Sequence, residues 1–303
     1  MKKILCILMP LFLLYGCGGK NTGDDSESSP MMTIQTDAKT PDEKMLSMIQ
    51  DCIQDYNEGK TEDLQKELDM TIAPLPLEVS SLPEISSLSD LEEVEDDENV
   101  TNTYYVGRQK INDKYSAVYS IYAPSGGSFW SNGSVEFEAD RSMITEDDPQ
   151  FARYRSVLDD LLEKQNKVLN ELYTIGVEVD ASSADEDGYC SVTKGPSSVQ
   201  QLKDDAASVF TQDYINEVID PVVFSGDTPI YKEKSGKLYA HPSDIIQQPS
   251  SYTYDTSCIA AVSDDGSTVM IDLLTTVMGQ PQNSLKRILL IHSSDGYLLP
   301  SVY

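Results

Sequence analysis

Apolar residues recur every third or fourth position between residues 41 and 58, which is the period of a helix with one buried face. Thr40 precedes this segment as an N-cap, Pro41 takes the first helical position, and Glu43 stands three residues after the cap. Gly59 then ends the pattern. The apolar positions are Met45, Met48, Ile49, Cys52, Ile53 and Tyr56. We therefore expect an amphipathic first helix.

Period-two patterns follow this helix and predict antiparallel strands at 104–111, 114–123 and 134–139, separated by turn-forming residues such as Asn132-Gly133. Residues 71–100 show neither period. They contain three prolines and end in an acidic run, so we expect a solvated loop there.

The second half of the chain repeats this order of helices and strands. A long apolar stripe over 147–176, capped by Asp148 and ended by Gly176, predicts a helix that is either a connector or the first helix of a second domain. Ser198 and Thr211 begin two further predicted helices, the second ending before Asp220-Pro221. The strands predicted after them are 229–233, 237–240, 256–262, 268–277, 285–292 and 297–302.

These patterns predict an α+β protein of two domains, each with N-terminal helices packed on a curved antiparallel sheet and joined by the long helix. By pattern alone, each half resembles the NTF2-like or cystatin-like roll. The predicted divisions are a signal peptide (1–16), a flexible tether (17–40), an N-terminal domain (41–146), a connecting helix (147–176) and a C-terminal domain (177–303).

The first sixteen residues have the composition of a secretory signal: two lysines, an apolar stretch and a small residue before Cys17. The order Leu14-Tyr15-Gly16-Cys17 resembles the lipobox of bacterial lipoproteins. An ordinary signal peptide with a cysteine there by chance is the alternative, but the polar, glycine-rich and serine-rich stretch after Cys17 favours a tether. The resemblance implies cleavage before Cys17, lipid on that cysteine, and a protein held at the cell membrane outside the cytoplasm.

The net charge of −29 limits the classes of molecule that the chain is suited to bind. The chain has 51 acidic and 22 basic residues, and cleavage of the signal would remove two of the lysines. Nucleic acid and anionic lipid surfaces are poor partners, because binding to them needs a basic patch that releases counterions. A cationic protein face or divalent ions remain suitable partners.

Three cysteines remain beyond Cys17. Cys52 lies on the apolar face of the first helix and is expected in the core. Cys190 and Cys258 could form a disulfide in an oxidising compartment, or they could be two buried thiols.

Catalytic and metal motifs are not supported by their context. Ser191–Lys194, Tyr214–Asn216 and Lys234–Gly236 imitate the three motifs of penicillin-recognising serine enzymes, but they stand too close together for that fold. The histidines, His241 and His292, have no further ligand at metal spacing. We expect no enzyme activity, no catalytic residues, no metal and no cofactor. Trp130 lies in a predicted loop and is either a surface binding residue or a partly buried anchor.

The C-terminal half is similar to the DL-endopeptidase inhibitor family of Gram-positive bacteria (the IseA type). The similarity lies in Ser198-Val199, Leu202, the segment Val209–Tyr214 and the segment Tyr231–Tyr239. It implies binding to a cell-wall hydrolase or another envelope protein, with Tyr231 and Tyr239 as candidate contacts beside Trp130. The lipid anchor and the separate N-terminal half depart from that family. The alternative is a lipoprotein that binds a small ligand or substrate in a pocket between helix and sheet.

Overall fold

The computed structural model describes residues 40–62, 70–93, 104–122, 132–241 and 252–303. The helices are α1 (Pro41–Glu58), α2 (Ala152–Leu172), α3 (Val199–Ala207), α4 (Gln212–Tyr214) and α5 (Asp220–Val223), with a π-helix (Ile215–Ile219) between α4 and α5. The strands are β1 (Met70–Ile72), β2 (Glu92–Glu93), β3 (Tyr104–Lys110), β4 (Tyr115–Tyr122), β5 (Asn132–Ala139), β6 (Glu178–Asp180), β7 (Cys190–Lys194), β8 (Tyr231–Lys234), β9 (Lys237–Ala240), β10 (Tyr252–Asp264), β11 (Thr268–Val277), β12 (Gln280–Ser293) and β13 (Gly296–Leu298). The α+β class predicted from the patterns is confirmed.

The first helix begins and ends where its capping residues predict. The Thr40 hydroxyl accepts a hydrogen bond from the Glu43 amide, and the Glu43 carboxylate accepts one from the Thr40 amide at 2.7 Å. Gly59 ends the helix in the left-handed region, at φ 70°. The residues on its apolar side are buried, as predicted.

Strands from both halves of the chain belong to one nine-stranded sheet, in the order β10-β11-β12-β5-β4-β3-β2. The halves meet where Ser284 of β12 pairs with Glu138 of β5. β1 adds to β5 in parallel, and β13 adds to β12. A second sheet has the order β6-β7-β9-β8. Residues 39–303 therefore form one compact unit, and the predicted two-domain arrangement is not confirmed.

The strands β10–β12 lie between two hydrophobic clusters, because successive side chains of a strand point to opposite faces. Ile271 of β11 and Ile288 of β12 pack against α2, α3 and the helices after it. Leu274 and Leu285, from the same two strands, pack into the cluster of α1 and the N-terminal strands. The N-terminal cluster thus draws part of its core from the C-terminal half.

Three expectations need correction. Residues 71–93 do not form a solvated loop: between β1 and the 3₁₀ turn Leu88–Asp90 the chain has no helix or strand, yet it buries Val79, Leu82 and Ile85 against α1. The long helix starts with a 3₁₀ turn (Pro149–Phe151) and packs along its length into the C-terminal cluster, so it belongs to that core. The helical segment after Thr211 continues past Pro221, because the proline lies in the first turn of α5, where its missing N–H has no helical partner.

The predicted signal peptide, the tether, Cys17 and Trp130 lie outside the described residues. No helix in the described part of the chain is long and apolar enough to cross a membrane.

Candidate functional site

The two tyrosines predicted as partner contacts have different environments. Tyr231 is only 1% exposed and belongs to the C-terminal hydrophobic cluster, where its hydroxyl donates to the Glu171 carbonyl. The prediction that Tyr231 is a surface contact is therefore wrong, because the residue faces inward from β8. Tyr239, on the neighbouring strand β9, is half-buried and has the Lys234 ammonium 5.8 Å from its ring centre.

The lysines beside these tyrosines are held by internal contacts. The Lys232 ammonium lies 3.0 Å from the Asp185 carboxylate and 3.4 Å from the centre of the Tyr189 ring. Lys234 also bonds to Asp185, and this contact holds the pKa of that carboxyl well below its usual range. Asp185 accepts hydrogen bonds from the backbone amides of Asp187 and Tyr189, so the acidic sequence at 185–188 forms a turn.

The described thiols are buried and free, so no disulfide joins Cys190 to Cys258. Burial raises the pKa of Cys52 to about 12, and it also raises the pKa of Cys258. The Cys258 sulfur accepts a hydrogen bond of 2.9 Å from Arg141. Since the thiolate is the reactive form, protonated buried thiols are poor nucleophiles.

The two histidines contact a carboxylate and an aromatic ring. His292 lies 3.2 Å from Asp264, whose other carboxylate oxygen accepts from the Tyr154 hydroxyl at 3.1 Å. His241 packs its ring against Tyr189. Among the described contacts, no hydrogen bond joins either imidazole to a serine, threonine or cysteine side chain. In the same residues, no group of three or more histidine, cysteine, aspartate or glutamate side chains could hold a metal ion.

The space between α1 and the sheet, where a ligand pocket was the alternative expectation, is filled by buried side chains. Tyr119 and Phe137 occupy it together with the inner face of α1. An open groove of about 460 Å³ runs outside α1, but its amides are engaged: Gln50 donates to the Ile85 carbonyl, and Asn57 bonds to both backbone groups of Leu82. A second open groove of about 480 Å³ is lined mostly by charged and polar side chains.

The helices of the C-terminal half form a strongly acidic surface with an apolar centre. Residues 198–229 contain six acidic side chains and one basic side chain, Lys203, which bonds to Asp220 at 2.9 Å. Val218 and Val222 lie one helical turn apart and are 41% and 45% exposed. We call this pair of side chains the valine face.

The spacing of apolar residues in the sequence indicates the valine face. Ile215, Ile219 and Val223 are buried at intervals of four residues. Val218 and Val222 each precede a buried residue by one position, and so point away from the buried stripe by about a quarter of a turn. Apolar residues at such positions are candidates for contact with a partner. Val218 also belongs to the π-helix, a rare geometry that is frequent at functional sites.

The residues that carry the resemblance to the endopeptidase inhibitors are largely core residues. Leu202, Phe210 and Leu238 are buried with Tyr231, so the similarity concerns the packing of this half more than its surface. Comparisons with protein-family models, curated proteins and solved structures find no match to this chain. The resemblance therefore stays a prediction.

Proposed function

We propose that this chain is a lipoprotein, held at the outer face of the cell membrane by lipid on Cys17, and that it acts by binding another envelope protein. The valine face is the observation that carries the binding role. Isolated exposed apolar side chains are ordinary. Val218 and Val222 are instead neighbours on one helical surface, so a single partner surface would contact both side chains. The surrounding carboxylates suit a cationic partner.

The chemistry of the described residues supports binding over catalysis. Their thiols are buried, and His292 is bonded to a carboxylate and not to a nucleophile. Complementary charge mainly raises the rate of encounter and selects the partner, whereas the desolvated apolar centre of an interface supplies most of its affinity. We therefore assign selection to the acidic residues around the valine face and affinity to Val218 and Val222.

The partner class follows from the resemblance to the endopeptidase inhibitors: a cell-wall hydrolase whose activity is restrained by occupation of its surface. The roll-like description of each half, NTF2-like or cystatin-like, belongs to the same proposal. It is supported by the two hydrophobic clusters, one for each half.

The binding role is tested with the mature chain, a purified DL-endopeptidase and peptidoglycan. We expect the wild-type chain to slow digestion, and the double variant Val218→Asp/Val222→Asp to need about tenfold more protein for the same effect, because it charges the apolar centre. Met143→Asp is the matched control, since Met143 is a similarly exposed apolar residue of the other half. Unslowed digestion at saturating wild-type protein would exclude the inhibitory version. Equal inhibition by the double variant would exclude the valine face.

The anchor is tested separately in cells. We expect a labelled fatty acid to be incorporated into the wild-type protein and the protein to fractionate with membranes. Cys17→Ser should abolish the incorporation and release the protein. A wild-type protein without label would contradict the anchor and leave the binding assay unaffected.

A further inference from the structure

The hairpin that joins β11 to β12 carries an unusual residue at its turn. Met278 is 87% exposed, the highest value among the exposed large apolar side chains of the described residues, and the adjacent Val277 is 38% exposed. Met278 and Gly279 have φ values of 49° and 76°, the left-handed conformation that a two-residue type I′ turn requires at both positions. Asparagine, aspartate and glycine adopt it at low cost, whereas methionine does not.

A second hairpin in the same molecule has the same type of turn with a residue that suits it. Ser235 and Gly236 connect β8 to β9 with φ values of 52° and 74°. A short polar side chain occupies the first position there. Met278 contributes little to the core and strains the turn, so its side chain is better suited to a contact outside the molecule.

The charge pattern around Met278 indicates the kind of partner. Residues 273–285 contain no charged side chain, although 24% of the chain is charged. Arg141 comes close, at 3.4 Å from the Gln282 carbonyl, but it is paired with Asp255 at 2.8 Å. A chain of net charge −29 is repelled by anionic lipid head groups, and the side chains of this uncharged segment add nothing to that repulsion.

The turn of the hairpin lies beyond the last apolar pair of the core. Leu274 and Leu285 face each other across β11 and β12 and form that pair. Three residues of β11 separate Leu274 from the turn, which is roughly 10 Å at the rise of a strand, and β10 pairs with β11 as far as Val277. Apolar groups that bind at a membrane interface enter it by about 5–10 Å.

We propose that the hairpin tip, residues 276–283, is a second membrane contact, with Val277 and Met278 inserted into the interface of the bilayer. This role rests on the proposed lipid anchor: two side chains bind weakly alone, but an anchored protein meets the membrane at a high effective concentration. The contact would orient the domain on the membrane and present its other surfaces to the partner.

The proposal is tested by an environment-sensitive dye on the lipidated full chain in phosphatidylcholine vesicles, with and without phosphatidylglycerol. The dye is attached to Met278→Cys, and to Ser235→Cys as the matched turn control. The described native thiols are buried, so the dye reports the new cysteine. We expect a blue shift and protection from iodide quenching at position 278 alone. Equal emission and quenching at the two positions would overturn the proposal.

A second measurement separates the tip from the anchor. The mature chain with Cys17→Ser is compared with the same chain carrying Met278→Asn, which suits a left-handed turn and so should fold at least as well. We expect its partitioning into the same vesicles to fall about tenfold. Equal partitioning would overturn the membrane contact. The membrane contact would also be overturned if the parent chain self-associated without binding vesicles and Met278→Asn abolished that self-association. Because both chains lack the lipid on Cys17, this result stands even if the anchor is contradicted.

Discussion

The two faces of the strands β10–β12 are stabilised in different ways. The face toward α2–α5 is packed by aliphatic side chains such as Ile271, Leu273 and Ile288. The face toward the N-terminal half combines Leu274 and Leu285 with ion pairs and hydrogen bonds to the backbone. Apolar burial is non-directional, whereas charged hydrogen bonds require a defined geometry. The first face therefore stabilises the C-terminal half, and the second also sets how the N-terminal segment lies across it.

The Asp272–Arg287 pair is the centre of the polar face. Asp272 is 1% exposed and accepts from Arg287 Nε at 2.7 Å and from Arg287 Nη2 at 2.9 Å. The same carboxylate accepts the Leu77 amide at 2.7 Å, and Arg287 donates to the Leu75 carbonyl at 2.6 Å. The last two of these bonds attach the segment after β1 to the C-terminal sheet, and the first two hold Asp272 and Arg287 in place for them.

A second attachment lies beside it. The Lys114 ammonium donates to the Ala260 carbonyl at 2.8 Å and to the Glu78 carboxylate at 2.9 Å. Tyr115 donates its hydroxyl to the same carboxylate. Burial acts to raise the pKa of Glu78, but these two donors outweigh it and hold the pKa below its usual value. Two charged groups of the N-terminal half thus form this attachment, one of them bonded to the backbone of β10.

The largest effect is expected on the polar face. Arg287→Met should lower the free energy of unfolding by about 3–5 kcal/mol, because it leaves the Asp272 carboxylate buried without a positive charge beside it. Urea denaturation measures this loss. The double variant Asp272→Leu/Arg287→Met should regain part of it, since an uncompensated charge is then absent. If the double variant were as unstable as the single one, the lost stability would come from the bonds to the backbone of Leu75 and Leu77 and not from the unpaired charge of Asp272.

A somewhat smaller effect is expected from the neighbouring residue on the other face. Ile271→Ala should cost about 3 kcal/mol, through lost burial and the cavity left behind. Its unfolding should be as cooperative as that of the wild type, because both clusters belong to one compact unit. Urea transitions followed by two spectroscopic probes would check this. Separate transitions for the two halves would contradict a single unit.

The smallest effect concerns pH and the Arg141–Asp255 pair, which also joins the halves. Burial acts to raise the pKa of Asp255, but hydrogen bonds from Ser257 and Arg141 lower it overall. Since the folded-state pKa lies below the unfolded value, the stabilisation is present above about pH 4 and is lost as the pH falls through the folded pKa. Asp255→Asn should therefore be less stable than wild type at neutral pH, by about 1 kcal/mol or less. The gap should narrow in acid, and a constant gap would exclude the ionic contribution.

Much of the fold was predictable because it is encoded over short distances. The capping residues of α1 act on their own segment, and the predicted ends of this helix are confirmed. The packed segment of Val79, Leu82 and Ile85 was missed because it has no regular period, and it is ordered by contacts with distant strands. Tyr231 was misplaced because a strand residue is equally suited to either face until the neighbouring layer is known.

The sequence by itself determined the α+β class, both ends of α1 and the positions of most strands. Its acidic character is the reason for the prediction that nucleic acid is a poor partner. The proposed cleavage and lipidation at Cys17 also rest on the sequence alone, because a lipobox is a linear signal and needs no fold. The tertiary structure decided that the two halves share a sheet, that Asp272 and Arg287 meet, and that Val218, Val222 and Met278 are exposed. Each of these depends on residues far apart in the chain, because burial and pairing are properties of the packed layers and not of a local pattern.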